Sequence, residues 1–105
     1  MIEGVGIKSL VVHPDERGRL MEILRRDDEI FKGFGQVYVT SVYPGVVKGW
    51  HYHRRQWDQF AVVAGTVKMV LFDRREASAT HGETMELYPG LDQPMLVAIP
   101  PVLRQ

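Results

Sequence analysis

A chain of 105 residues with 45% hydrophobic and 25% charged residues is one soluble-type domain, residues 1–105, long enough for one apolar core. Thirteen Lys and Arg balance thirteen Asp and Glu, which argues against nucleic acid or an anionic membrane as the main partner. The lack of cysteine excludes disulfides, thiolate nucleophiles and thiolate metal sites, and no apolar run approaches the ~18 residues of a membrane span.

The N-terminal MIEGVGIKSL carries no signal-peptide pattern, so a cytoplasmic location is expected. Val5 to His13 is mostly β-branched and apolar and predicts a strand, closed by the turn sequence His-Pro-Asp-Glu-Arg-Gly at 13–18. Leu20 to Leu24 is a short apolar run. Arg25 to Gly35 is polar with two phenylalanines and has room for one helical turn. Gln36 to Tyr43 has strong strand composition, and Pro44-Gly45 predicts a turn. Val46 to Tyr52 and Gln59 to Ala64 predict two more strands.

Gly65-Thr66 turns the chain into Val67 to Asp73. There Val67, Met69 and Leu71 share one face, and Lys68, Val70 and Phe72 the other. Residues 74–85 read as polar loop. Met95 to Ile99 predicts a final strand, stopped by Pro100-Pro101. No segment keeps helical periodicity, so the pattern is all-β, a sandwich or barrel of short strands.

The chemistry concentrates at Gly45 to Gly65. His51 and His53 lie two apart in a predicted strand, which turns both imidazoles to one face. Asp58 follows nearby. Two imidazoles and a carboxylate can move protons or hold a divalent metal. A single histidine is more often satisfied inside a core, and Asp58 has an alternative as a loop carboxylate paired with Arg54 or Arg55. Arg54-Arg55 and Arg74-Arg75 read as solvated turn charges. Tyr38, Tyr43 and Trp57 read as core aromatics, while Tyr52 can stack on a base or sugar.

Gly45, five residues, His51-Tyr52-His53, four residues, Asp58, six residues and Gly65 resemble the first cupin motif, with aspartate where glutamate is usual. A narrower resemblance runs over nearly the whole chain. Asp15-Glu16-Arg17-Gly18 with Glu22, Gly35-Gln36-Val37, Lys48-Gly49-Trp50-His51, Asp73-Arg74-Arg75 with Ser78 to Gly82, and Ile99-Pro100 resemble the dTDP-4-dehydrorhamnose 3,5-epimerase family of RmlC-like cupins. The resemblance implies a cupin jelly-roll β-barrel, incomplete at its C-terminus. It also implies a metal-free homodimer acting on a nucleotide-linked 4-keto-6-deoxy sugar in rhamnose and polysaccharide biosynthesis.

By the same resemblance Arg17 and Lys48 fall on positions that hold the diphosphate. His51 falls on the catalytic base, and Glu22 and Gln36 on the substrate pocket. Lysine at 48 keeps the charge of the family's arginine and loses its bidentate fork. Asp58 falls near the family's lysine beside the reacting carbonyl, and His53 replaces a glutamine and becomes an accessory proton carrier or orienter. The family pattern continues beyond Gln105 with a tyrosine acid and an aspartate that orients the base. Three other readings stay open. A 3,4-ketoisomerase of dTDP-4-keto-6-deoxyhexoses also has two histidines in such a stretch. A metal-dependent cupin would use His51, His53 and Asp58 as ligands. A binding protein for nucleotide sugars would have lost catalysis.

Overall fold

Strands with one apolar face must bury it, and here two small sheets bury theirs against each other. The computed structural model describes residues 1–105 and has seven strands and no helix. They are β1 (Gly6–Ser9), β2 (Val12–Asp15), β3 (Gly18–Met21), β4 (Asp58–Ala61), β5 (Met69–Phe72), β6 (Thr84–Leu87) and β7 (Met95–Ile99).

The first sheet has the order β1-β7-β4, all antiparallel. Its central strand β7 is apolar at every position because both of its faces are covered. Leu96, Val97, Ala98 and Ile99 are each at most 2% exposed. The second sheet is the β5–β6 pair, with Met69 opposite Leu87 and Leu71 opposite Met85. The core between the sheets is Ile2, Val5, Leu71, Val97, Ile99 and Leu103, with Phe60, Met69, Met85 and Leu87 against it. The face assignment for residues 67–72 therefore holds for Met69 and Leu71, which point inward.

The outer face of the first sheet is covered by residues 23–32. Lys8 Nζ donates to Asp28 Oδ2 at 2.6 Å and to the Ile23 carbonyl at 3.4 Å. Gln59 Nε2 donates to the Ile30 carbonyl at 2.8 Å. Ile30 lies so close to Gly6 that a Cβ there would sit 3.3 Å from Cδ1. The segment expected to hold a helical turn instead makes two successive turns, closed by Asp28 N to Arg25 O and Phe31 N to Asp28 O. β2 and β3 form a separate hairpin whose turn is fixed by Asp15, which accepts the Arg17 backbone N–H at 2.8 Å.

Several expectations are corrected. Val5 to His13 is split between β1 and β2, because the chain breaks at Leu10, whose N–H donates to Pro94 O at 2.9 Å. Residues 84–85, expected to end the polar loop, instead open β6, where Met85 and Leu87 alternate with Thr84 and Glu86. Gln36 to Tyr43 and Val46 to Tyr52 are not strands. Their composition suits a sheet, but a strand needs a neighbour to complete its ladder. Val39 and Val47 are 90% and 92% exposed, with no strand beside them. The turn between the two segments does form, with Gly45 at φ +78° and Val46 N bonded to Tyr43 O. The sheets do not close into a barrel.

Candidate functional site

The last residues of the chain position the histidine stretch. Arg104 exchanges both backbone hydrogen bonds with Phe72 at the edge of β5, each 3.0 Å. The next residue, Gln105, turns to the other side and exchanges both with His51, each 2.9 Å. Successive residues of an extended segment bond to opposite neighbours, so residues 104–105 join β5 to His51. Leu103, 1% exposed, anchors this segment in the core. Val102 N donates to His53 O at 2.6 Å, and Val102 has a positive φ of 76°. The approach is close at Gly49 too, where a Cβ would meet Gln105 O at 3.3 Å.

Asp58 opens β4, opposite the buried Ile99. Its side chain is 15% exposed and accepts hydrogen bonds from two side-chain amides, with an imidazole nearby. Gln56 Nε2 reaches Oδ1 at 2.7 Å, and Gln105 Nε2 reaches Oδ2 at 2.7 Å. His53 Nε2 lies 3.1 Å from the same Oδ2. The carboxylate is thus a strand residue with an imidazole beside it, and neither Arg54 nor Arg55 pairs with it. His51 is exposed and holds its place through its backbone. No group of three or more His, Asp or Glu side chains gathers as a metal site, so His51, His53 and Asp58 reduce to a His53–Asp58 pair.

The other predicted residues are dispersed, and no hydrogen bond or ion pair joins any two of them. Arg17 is bound to Asp15 on the β2–β3 turn, Nη2 to Oδ2 at 2.7 Å, with its side chain 82% exposed. Lys48 Nζ donates to Thr40 Oγ1 at 3.0 Å and to the Ser41 carbonyl. Glu22 lies 3.9 Å from Arg25, and Gln36 is exposed. Tyr52 lies under Arg74, whose guanidinium carbon is 4.4 Å from the ring centroid. Arg74, and Arg54 after it, hold the phenol below the ordinary tyrosine range.

Two features were not read from the sequence. Arg74 is not a free turn charge, as its place on Tyr52 shows. Arg75 is not one either. It binds Asp73, which is fully buried, through Nε to Oδ1 at 2.9 Å and Nη2 to Oδ2 at 3.0 Å. Ser78 Oγ and Thr80 Oγ1 also donate to Asp73 Oδ2, each at 2.6 Å. Glu3 ties the N-terminus to this loop, accepting from Ala79 N at 3.0 Å. The signal was the Asp73-Arg-Arg75 run followed by two hydroxyl residues, a set able to saturate one carboxylate.

The chain is 45% identical over 100 residues to the spore coat polysaccharide biosynthesis protein SpsL of Bacillus subtilis, covering 95% of this chain and 66% of that one. It is 36% identical over 101 residues to the probable low-salt glycan biosynthesis epimerase Agl13 of Haloferax volcanii, covering 94% of this chain and 65% of that one. The chain therefore spans just under two thirds of the length of these relatives. The crystal structure of a dTDP sugar isomerase from Desulfovibrio desulfuricans G20 shares the fold with a TM-score of 0.93 and 36% identity, over 98% of this chain and 66% of that one. The family described as the polysaccharide biosynthesis C-terminal domain matches residues 13–104. A match over so much of the chain, carrying β2 through β7 and the histidine stretch, makes this protein a member of the polysaccharide biosynthesis C-terminal domain family.

Proposed function

We propose that this chain is a nucleotide-sugar epimerase of the dTDP-4-dehydrorhamnose 3,5-epimerase type, acting in deoxysugar and polysaccharide biosynthesis. One observation carries the reading: an imidazole beside a carboxylate, His53 Nε2 3.1 Å from Asp58 Oδ2, within a fold close to that of a dTDP sugar isomerase. The likeness to an epimerase of glycan biosynthesis supports it.

The reaction removes a proton from carbon beside a sugar ketone and returns one to the opposite face. It needs a base with a pKa near the operating pH, for which an imidazole is suited, and charge to hold the enolate. In this reading His51 is the base and His53 the accessory proton carrier. Arg17 and Lys48 bind the diphosphate, Tyr52 stacks on the ligand, and Glu22 and Gln36 line the pocket. No metal takes part. Binding would draw these residues together, since they stand apart in the free chain. The working form is a homodimer, and the exposed apolar side chains of Val37, Val39 and Val47 are surface for a second copy to cover.

The test is incubation with dTDP-4-keto-6-deoxyglucose in D2O, followed by NMR. Deuterium entering at both C3 and C5 supports the epimerase. A second reading, the 3,4-ketoisomerase, is favoured by the paired histidines after Lys48-Gly49, and it predicts a product whose ketone has moved to C3. Binding without exchange would leave a non-catalytic nucleotide-sugar-binding protein. Activity that appears only on adding a divalent metal would point to a metal-dependent cupin.

A further inference from the structure

We propose that Tyr52, Arg74 and Arg54 form a phosphate-binding site on the face of the histidine stretch opposite His51 and His53. This goes beyond the epimerase reading and does not depend on it.

Backbone pairing separates the two faces. His51 exchanges both hydrogen bonds with Gln105, and His53 O accepts from Val102 N, so residues 51–53 run extended along the C-terminal segment. Alternation then turns Tyr52 away from the two histidines. The histidine face also carries Gln105 and Asp58, whose side chains are bonded at 2.7 Å. Arg104, the residue before Gln105, points to the Tyr52 face by the same alternation, and so does Phe72, its partner across the bridge. Asp73 is fully buried on the inner side, and Arg74 after it returns to the outer face. There its guanidinium carbon lies 4.4 Å from the centroid of the Tyr52 ring.

The charge on this face is unbalanced. Carboxylates pair with Arg17, Arg25 and Arg75, and with none of Arg54, Arg74 and Arg104. The Tyr52 phenol reports the excess: Arg74 first, and Arg54 after it, hold it below the ordinary tyrosine range, and no carboxylate opposes them. In a chain of zero formal net charge this is a local surplus of cations around one exposed ring. A phosphate suits it. A guanidinium over an aromatic ring keeps the N–H groups at its edge free, and that edge forks two phosphate oxygens. Two such groups match an anion that carries between one and two charges near neutral pH. Arg74 rests on the ring before any anion arrives, so less side-chain freedom is lost on binding.

The experiment titrates the full 15N-labelled chain with inorganic phosphate at constant ionic strength and follows the arginine Nε–Hε signals by NMR. Those of Arg74 and Arg54 are assigned by their loss in Arg74→Ala and Arg54→Ala. Both signals should shift and saturate with phosphate, and chloride at the same ionic strength should move neither. Each of the two variants should weaken phosphate binding at least about tenfold, the scale of one charge-assisted hydrogen bond. Arg55→Ala should bind as the wild type does, since Arg55 does not act on Tyr52. Addition of dTDP then distinguishes the source of the phosphate. Displacement of inorganic phosphate by dTDP would support a site for the diphosphate of a nucleotide, and phosphate that stays bound beside dTDP would support a separate anion site. A wild type whose Arg74 and Arg54 signals do not saturate with phosphate would overturn the proposal, and this needs no variant to fold. Folded Arg74→Ala and Arg54→Ala proteins that bind phosphate as tightly as the wild type would also overturn it. Phosphate binding at Arg74 and Arg54 without deuterium exchange in any 4-keto sugar would contradict the epimerase reading and leave this site standing.

Discussion

Arg75 grips Asp73 with two parallel hydrogen bonds, 2.9 and 3.0 Å, at a carboxylate with none of its surface exposed. Together with Ser78 and Thr80 this pair fixes the loop that follows β5, and through Glu3 it fixes the N-terminus. The pair sits one residue beyond Phe72, the β5 position to which the C-terminal segment is bonded.

Breaking it should be costly. Asp73→Ala leaves Arg75 half-buried without its counter-charge and removes the acceptor of two hydroxyls. Loss of one member of a buried pair costs roughly 3–5 kcal/mol. Urea unfolding of Asp73→Ala should show a loss in that range, and a loss under about 1 kcal/mol would contradict the account.

The same pair sets an acid limit. Arg75 first, against the opposing effect of burial, and then the two hydroxyls hold the Asp73 carboxyl well below the usual carboxylate range. A group with a lowered folded pKa stabilises fully above its unfolded value, about 3.9 for Asp, and loses that contribution as pH falls toward the folded value. The melting temperature should therefore drop steeply below about pH 4 in the wild type. In Asp73→Asn it should start lower and fall less over the same range.

Leu103 ties the histidine stretch to the core. Leu103→Ala removes a side chain that is 1% exposed, at a cost of roughly 2–5 kcal/mol. It should also speed amide exchange at His51, whose N–H is bonded to Gln105. Gln105→Ala should leave global stability within about 1 kcal/mol, since it deletes a partly exposed hydrogen bond.

Gly90 admits no side chain. A Cβ there would lie 2.6 Å from the Gly65 carbonyl oxygen and 2.7 Å from Thr66 Cα, across the Thr66–Gly90 bridge. Gly90→Ala must push backbone away, which costs roughly 1–3 kcal/mol. Thermal unfolding should show that loss, while Gly33→Ala, with open space around it but φ at +93°, should pay only for local backbone strain.

Arg74 lowers the Tyr52 pKa, so Arg74→Ala should move it up, toward the ordinary value of about 10. Tyrosinate absorbance followed through an alkaline titration reads this directly. An unchanged curve would place Arg74 away from Tyr52 in solution.

The sequence was most legible where local pattern and tertiary surroundings agree. Met95 to Ile99 is a strand with those bounds because its unbroken apolar run meets cover on both faces. The inward set at Met69 and Leu71 follows from the two-residue period alone. Composition failed at Gln36 to Tyr52, where valines and tyrosines suit a sheet that nothing in these 105 residues completes. The spacing of His53 and Asp58 made them candidates. It could not show that Gln105, far away in sequence, would brace Asp58 and pair with His51, because that contact depends on how the core seats Leu103. Arg75 misled for the same reason: a charged turn residue and a buried anchor look alike until the neighbour is known to be buried.

The central claim is that the histidine stretch moves protons at a sugar ketone. The most direct measurement is deuterium incorporation into dTDP-4-keto-6-deoxyglucose by the wild type, His51→Ala and His53→Gln, compared by NMR under one set of conditions. The account predicts incorporation by the wild type and a loss of at least about 100-fold in His51→Ala, the scale of general acid–base catalysis. His51→Ala and His53→Gln proteins that exchange as fast as the wild type would contradict it.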